Sequence, residues 1–284
     1  MLITVKANAK INLTLDVTGI NSKGYHLLDS VFQSIDLSDI VTVKIGEGEG
    51  VCVTSTDAHL SGEQNIAHKA ATQFLNAIGK KALVEITIKK CIPVASGMGG
   101  GSADAAATLL ALNKLYGEPL SKAQLSRLAL NIGADVPFCL EGGTMRAKGI
   151  GEELSPLPAL PDCYIVVIKD SKKPSTKEMY SRLDAVKNLD RPDNEAFIKA
   201  LKTGNYKKAC SNMKNVFSCL WDNGYLEKLI ACTSPDATVL SGSGPTVTAF
   251  FDEKSRADMA IKLLKTAGIE CYLSTPLKKA YSFE

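Results

Sequence analysis

The stretch Ile92-Pro93-Val94-Ala95-Ser96-Gly97-Met98-Gly99-Gly100-Gly101-Ser102-Ala103-Asp104 decides how this chain reads. Four glycines fall within five residues, at 97, 99, 100 and 101. Glycine accepts positive φ without steric cost and leaves the backbone bare. An alanine- and leucine-rich run, residues 105–116, follows at once and reads as a helix. Successive backbone N–H groups and a helix N-terminus together form an anion cradle suited to phosphates. Ser102 falls at the helix start, where a hydroxyl caps the helix or reaches a phosphate or Mg²⁺. A plain turn needs one or two glycines, and four weaken the fold entropically. The stretch lacks the G-x-x-x-x-G-K-[ST] of a Walker A loop. It also lacks the Rossmann G-x-G-x-x-G, because Ser102 stands at the last-glycine position.

Before the loop, Val84, Ile86 and Ile88 alternate as a strand, and residues 64–78 carry a helical stripe of Ile66, Ala70, Phe74 and Ile78. Gly79 suits that helix's end. The first 45 residues read as strands, with a turn cluster at Asn21-Ser22-Lys23-Gly24. After the loop, Ser121 and Gln124 form a capping box for a helix that Gly133 closes. Residues 133–137 then read as a loop, and Pro156, Pro158 and Pro161 mark a domain junction. The expected division is 1–155 and 156–284. Beyond it come a strand at 164–168, helices at 176–188 and 194–202, and a helix at 254–266 ending at Gly268. Between them lies strand, tight turn, strand: Val239-Leu240, then Ser241-Gly242-Ser243-Gly244-Pro245, then Val247 to Phe251. Strands and helices mix without strict βαβ alternation, which predicts an α+β fold.

The chain has 284 residues, 45% hydrophobic and 22% charged, which excludes wholesale disorder. A net charge of +3 gives no reason to expect nucleic-acid or membrane binding. The 8 cysteines form no C-x-x-C pair, and Cys52, Cys139 and Cys163 lie in apolar stretches as small hydrophobes do. The histidines, His26, His59 and His68, group with no cysteine or carboxylate at metal-ligand spacing. The N-terminal MLITVKANAKINLTLDV carries Lys6 and Lys10 within its alternation and reads as a strand, not a signal peptide. No apolar run is long enough to cross a membrane. A reduced, soluble, cytoplasmic protein is expected.

Residues 93–107 resemble the phosphate-binding loop of the GHMP kinase superfamily. Lys6-Ala7-Asn8-Ala9-Lys10-Ile11-Asn12-Leu13 resembles that superfamily's first motif, and Ser241-Gly242-Ser243-Gly244-Pro245 its third. Gly24-Tyr25-His26, Val31-Phe32-Gln33 and Gly133-Ala134-Asp135-Val136-Pro137-Phe138 are similar to one family within it, the 4-diphosphocytidyl-2-C-methyl-D-erythritol kinases. Met98 departs from the usual leucine, and Ala103 from a usual second serine, which leaves Ser102 the one hydroxyl there. The resemblance implies two α+β domains with the active site in the cleft between them. It implies ATP and Mg²⁺ as cofactors, with the metal ligands unassigned. The implied partner is a small-molecule substrate, phosphorylated at its 2-hydroxyl.

A lone loop aspartate is ordinarily a cap, but the resemblance makes Asp135 the catalytic base. A lysine in an apolar strand either snorkels or pairs, and the resemblance places Lys10 beside that aspartate. It assigns residues 93–103 to the nucleotide phosphates and Asn65 to the adenine pocket, although Asn65 also suits the N-cap of the 64–78 helix. Tyr25, His26 and Tyr180 match positions around a cytosine, Asn12 a position near the methylerythritol, and Lys148 the diphosphate; a solvated strand lysine is the plain alternative for Lys148. Rival readings are a GHMP kinase for mevalonate, homoserine or a sugar, and a nucleotide-binding module without catalysis. Oligomeric state is not legible.

Overall fold

Two long strands organise the first half of the molecule. β1 (Leu2–Ile20) and β2 (His26–Gly46) pair antiparallel along almost their whole length, joined by the turn at residues 21–24. In this computed structural model, residues 1–169, 175–221 and 230–284 are described. From Ala7 to Val17 every residue of β1 is buried, so its polar positions Asn8, Lys10, Asn12, Thr14 and Asp16 are buried too. Buried polar groups need partners: Lys10 donates to Asn12, Asn8 Nδ2 donates to the Lys279 carbonyl at 3.4 Å and Asp16 pairs with Arg191 at 2.6 Å, while Thr14 Oγ1 has no partner among the described residues.

β3 (Gly50–Ser55) and β4 (Leu83–Lys89) extend the sheet in the order β1-β2-β4-β3, β5 (Thr144–Lys148) attaches to β2, and β6 (Glu153–Pro156) attaches to β5. Four helices cover it: α1 (Ile66–Ala77), α2 (Gly100–Leu115), α3 (Lys122–Ile132) and α4 (Val136–Glu141). α2 is the central one and packs on β1, β2, α1 and α4. Its run of buried alanines, 103 and 105–107, lets backbones approach closely. The 121–124 capping box forms as expected.

A second sheet has the order β11-β7-β10-β9, from β7 (Tyr164–Lys169), β9 (Ala237–Leu240), β10 (Thr246–Phe251) and β11 (Cys271–Ser274). With it go α5 (Thr176–Asp184), α6 (Asn194–Lys202), α7 (Tyr206–Cys210) and α8 (Lys254–Thr266). The chain then returns to the first sheet. β12 (Pro276–Leu277) pairs with β2 and β13 (Tyr281–Phe283) with β1, while β8 (Lys214–Asn215) also pairs with β1. Leu15 and Val17 of β1 belong to the second hydrophobic core, and the strand's other buried apolar residues to the first. The returning tail lies so close to the end of α4 that a Cβ on Gly142 would sit 2.0 Å from the Ala280 nitrogen.

Three local expectations change. Residues 133–137 are not all loop: Pro137, near the first turn, favours a helix start, and α4 begins at Val136. Helix α5 stops at Asp184, four residues short of the expected 188. Cys52 is exposed, because it points to the opposite face of β3 from the buried Val53, whereas Cys139 and Cys163 are buried. All eight cysteines are free. Among the described residues no helix is long and apolar enough to cross a membrane.

Candidate active site

The three glycine- and lysine-bearing motifs, far apart in sequence, meet at one place. The Lys10 backbone N–H donates to the Met98 carbonyl at 3.0 Å, which ties β1 to the 92–104 loop. The Ser241 hydroxyl donates to the Gly97 carbonyl at 3.2 Å, which ties the 241–245 loop to the same segment. A Cβ on Gly97 would lie 2.6 Å from the Ser241 carbonyl oxygen, and its φ is +80°. Only glycine fits both demands. Asn12 joins the three: its Oδ1 accepts from the Gly242 N–H at 2.9 Å and from Lys10 Nζ at 3.0 Å, and its Nδ2 donates to Ser30 Oγ at 2.9 Å.

Gly99 is the N-cap of α2, and no side chain caps that helix. The orphan N–H groups of its first turn are therefore available to an anion. They face a cavity of about 400 Å³ lined by Asn65, Pro93, Val94, Ala95, Ser96, Gly97, Met98, Gly99, Gly100, Gly101 and Ser102. Ala103 is not on the lining; it is buried in the core, where a methyl group packs without an unpaired hydroxyl. Met98 is fully buried, filling the space of an apolar side chain. Asn65 does two things at once. Its Oδ1 accepts from the Ala67 N–H at 2.8 Å as the N-cap of α1, and the residue also lines the cavity.

Beside the loop, Lys10 Nζ stands 3.6 Å from Asp135 Oδ2. The Lys10 side chain is 6% exposed and lies over the Phe32 ring at 4.6 Å. A buried ammonium needs such partners. Asp135 occupies the N-cap of α4 yet makes no capping hydrogen bond with its side chain. The carboxylate is thus free of the usual structural duty of a cap and is one-third exposed.

A second charged group escaped sequence reasoning. Lys90 Nζ donates to Asp104 Oδ2 at 2.7 Å and forms a still shorter contact with Asp39. Asp39 Oδ1 in turn accepts from the Cys91 and Ile92 N–H groups at 2.6 and 2.8 Å. The triad pins the entry of the 92–104 loop to the first turns of α2. Burial, more than the repulsion of Asp39, pushes the Asp104 carboxyl up to about 8 against the pull of Lys90. Burial tends to lower the Lys90 ammonium, but the two carboxylates outweigh it and the net direction is up. One signal was present: Asp104 is the single charge within an otherwise apolar stretch of helix, residues 103–112.

Between the β1–β2 hairpin and α5, His26 and Tyr180 stack with ring centroids 4.5 Å apart, and Phe217 meets Tyr180 edge-on at 4.9 Å. His26 Nε2 also bonds Asp184, at 2.9 Å to Oδ1 and 3.1 Å to Oδ2. The Tyr180 hydroxyl is pushed up, by burial first and then by the charge of Asp135. Tyr25 is exposed and, among the described residues, touches no other ring. Lys148, the last residue of β5, is exposed, and its charge helps hold the Asp29 carboxyl low. Burial alone would raise that carboxyl, but the hydrogen bonds and charge of Arg146 reverse the direction. Among the described residues, no group of three or more His, Cys, Asp or Glu side chains is arranged to hold a metal.

Residues 65–143 match the GHMP kinases N terminal domain family. A 4-diphosphocytidyl-2-C-methyl-D-erythritol kinase of Clostridium tetani is 37% identical over 277 residues, spanning 95% of this chain and 98% of that protein. A crystal structure of 4-(cytidine 5'-diphospho)-2C-methyl-D-erythritol kinase superposes with a TM-score of 0.79 at 30% identity, covering 96% of this chain and 98% of that one. The homoserine kinase of Cytophaga hutchinsonii superposes with a TM-score of 0.80 at 20% identity over 100% of this chain and 97% of that one, a likeness of fold alone. The expected α+β GHMP kinase fold is the observed one. With that identity maintained over nearly its full length, the chain belongs to the 4-diphosphocytidyl-2-C-methyl-D-erythritol kinase family of the GHMP kinases.

Proposed function

We propose that this chain transfers the γ-phosphoryl group of ATP to the 2-hydroxyl of 4-diphosphocytidyl-2-C-methyl-D-erythritol. Family membership supports the reaction, and one observation carries the assignment of residues. The uncapped N-terminus of α2 and the Lys10–Asp135 pair border the same loop, the pair held at 3.6 Å. Phosphoryl transfer asks little covalent chemistry of a protein; it asks for positioning, charge stabilisation and a proton acceptor. Asp135 takes the proton of the attacking hydroxyl. Lys10, fixed by Asn12 and by the Phe32 ring, orients that carboxylate and offsets negative charge on the transferring oxygens. Residues 93–103 hold the ATP phosphates through backbone N–H groups, and Asn65 borders the adenine.

Mg²⁺ fits this site as a companion of the nucleotide. Ser102 lies on the lining and offers an oxygen of the kind a hard cation takes beside phosphate and water. Bound there, the ion would neutralise phosphate charge. Tyr25, His26 and Tyr180 receive the cytosine, Asn12 neighbours the methylerythritol, and Lys148 meets the diphosphate. The division of labour follows a domain boundary near 155: the first part carries the loop, Lys10 and Asp135, and the second contributes Tyr180 and the 241–245 loop across the cleft. The enzyme works in the cytoplasm on a small molecule, without nucleic-acid or membrane partners.

A panel assay of ADP release tests this, using the cytidyl compound, mevalonate, homoserine and a sugar as acceptors. Turnover of the cytidyl compound alone is expected. Turnover of homoserine or mevalonate in its place would move the chain to another GHMP activity, and nucleotide binding without any turnover would make it a binding module.

A further inference from the structure

Helix α5 presents two side chains to one imidazole. Tyr180 and Asp184 are four residues apart, so they share a face of the helix. Tyr180 stacks on the His26 ring at 4.5 Å, and the Asp184 carboxylate straddles Nε2 at 2.9 and 3.1 Å. The backbone that carries the ring is fixed by the hairpin. His26 pairs with Ile20 at the start of β2, and Asn21 Oδ1 accepts the Lys23 and Tyr25 N–H groups at 2.9 and 3.0 Å. His26 keeps little exposure, 17% of its side chain, whereas Asp184 is half exposed.

The position of Asp184 is costly for a helix. It is the last residue of α5, where the helix macrodipole opposes a negative charge. The compensation lies outside the helix, in the His26 N–H. A carboxylate only accepts hydrogen bonds, so Nε2 must carry the hydrogen. In the neutral ring Nδ1 is then an acceptor. Among the described residues no hydrogen bond occupies Nδ1.

Resting on the cytidyl-kinase reading above, we propose that Asp184 is a positioning residue that fixes the His26 tautomer and so sets base specificity. With hydrogen locked on Nε2, the Nδ1 lone pair faces a ligand donor. On the pairing edge of cytosine that donor is the exocyclic amine. Uracil sets a carbonyl oxygen at the same place, lone pair against lone pair. Asp184 therefore favours an amino-pyrimidine nucleotide over an oxo-pyrimidine one without touching either.

The test combines nitrogen-15 spectra of the imidazoles with kinetics on two substrates. At pH 8, above the ordinary imidazole range, the intact chain is expected to show His26 as the Nε2–H tautomer, identified against a His26→Gln variant. Asp184→Ala is expected to show a tautomer mixture at an unchanged melting temperature. In kinetics, Asp184→Ala raises KM for the cytidyl compound about tenfold with kcat within about twofold. Its preference for the cytidyl compound over the uridyl analogue falls about as far. An Nδ1–H tautomer or a doubly protonated ring in the intact chain overturns the proposal. So does an Asp184→Ala chain that keeps the tautomer and the base preference. Absence of turnover of the cytidyl compound by the intact chain overturns the kinase reading, and base selection with it, while the spectra still report whether Asp184 fixes the ring.

Discussion

Lys10 Nζ and Asp135 Oδ2 stand 3.6 Å apart, the ammonium almost fully buried and the carboxylate one-third open. The asymmetry divides their duties. The lysine is held by Asn12 and Phe32 and cannot swing away, while the aspartate can meet a substrate hydroxyl. Asp135→Asn keeps the shape and removes the proton acceptor. Its kcat should fall at least about a hundredfold, with KM for ATP and melting temperature nearly unchanged. Lys10→Ala should likewise lose turnover far out of proportion to stability. Steady-state kinetics beside thermal melts check both, and near-normal turnover in either variant removes that residue from the chemistry.

The glycines of the phosphate loop are not equivalent. Gly97→Ala sets a methyl group 2.6 Å from a backbone oxygen and holds alanine at a φ of +80°. A loss of about 1–3 kcal/mol follows, together with weaker ATP binding. Gly101→Ala meets nothing closer than Ile66 Cγ2 at 3.4 Å, and it lies inside α2. Alanine there favours the helix by up to about 1 kcal/mol. Melting temperatures should move in opposite directions, and equal losses would contradict the packing described for Gly97.

The Lys90 triad predicts a pH dependence of stability. The Asp104 carboxyl is raised to about 8 in the folded chain from an ordinary 3.8. The native state therefore binds the extra proton between those values, and this group's contribution is lost as pH rises toward 8. Denaturant titrations from pH 5 to 8 should show stability declining by up to about 1.4 kcal/mol per pH unit from this group. Asp104→Asn should flatten that slope. Lys90→Met, which leaves the buried Asp39 and Asp104 carboxyl groups without their cation, should cost about 3–5 kcal/mol.

Tyr180 gives a prediction on the substrate side. Tyr180→Ala removes the ring beside His26, and a base–aromatic stack is worth about 1–3 kcal/mol. KM for the cytidyl compound should rise about tenfold or more, while KM for ATP stays put. Equal changes in both would show a general disturbance of the cleft.

Much of this site was legible because its signals are local. The glycine density of 97–101 announced the loop, and Asn65 and the 121–124 box announced helix starts that form as written. Lys10 was legible as a charge that an apolar strand could not leave unpaired. Asp104 gave the same signal inside an apolar helix and passed unread, since its partners lie 14 and 65 residues away, at Lys90 and Asp39. His26 and Asp184 are 158 residues apart, and no periodicity foretells their bond. The overlong helix at 176–188 shows the other limit: apolar spacing continues past Asp184, but the backbone turns at Ala185.

The returning tail has a consequence for synthesis. β13 joins β1 across more than 270 residues, and residues 279–280 seat against Gly142 at the end of the helix that Asp135 begins. A nascent chain can assemble the phosphate loop early. It gains the support beneath Asp135 only after residue 280 has emerged, so maturation is governed by the most distant contacts, which are the slowest to close.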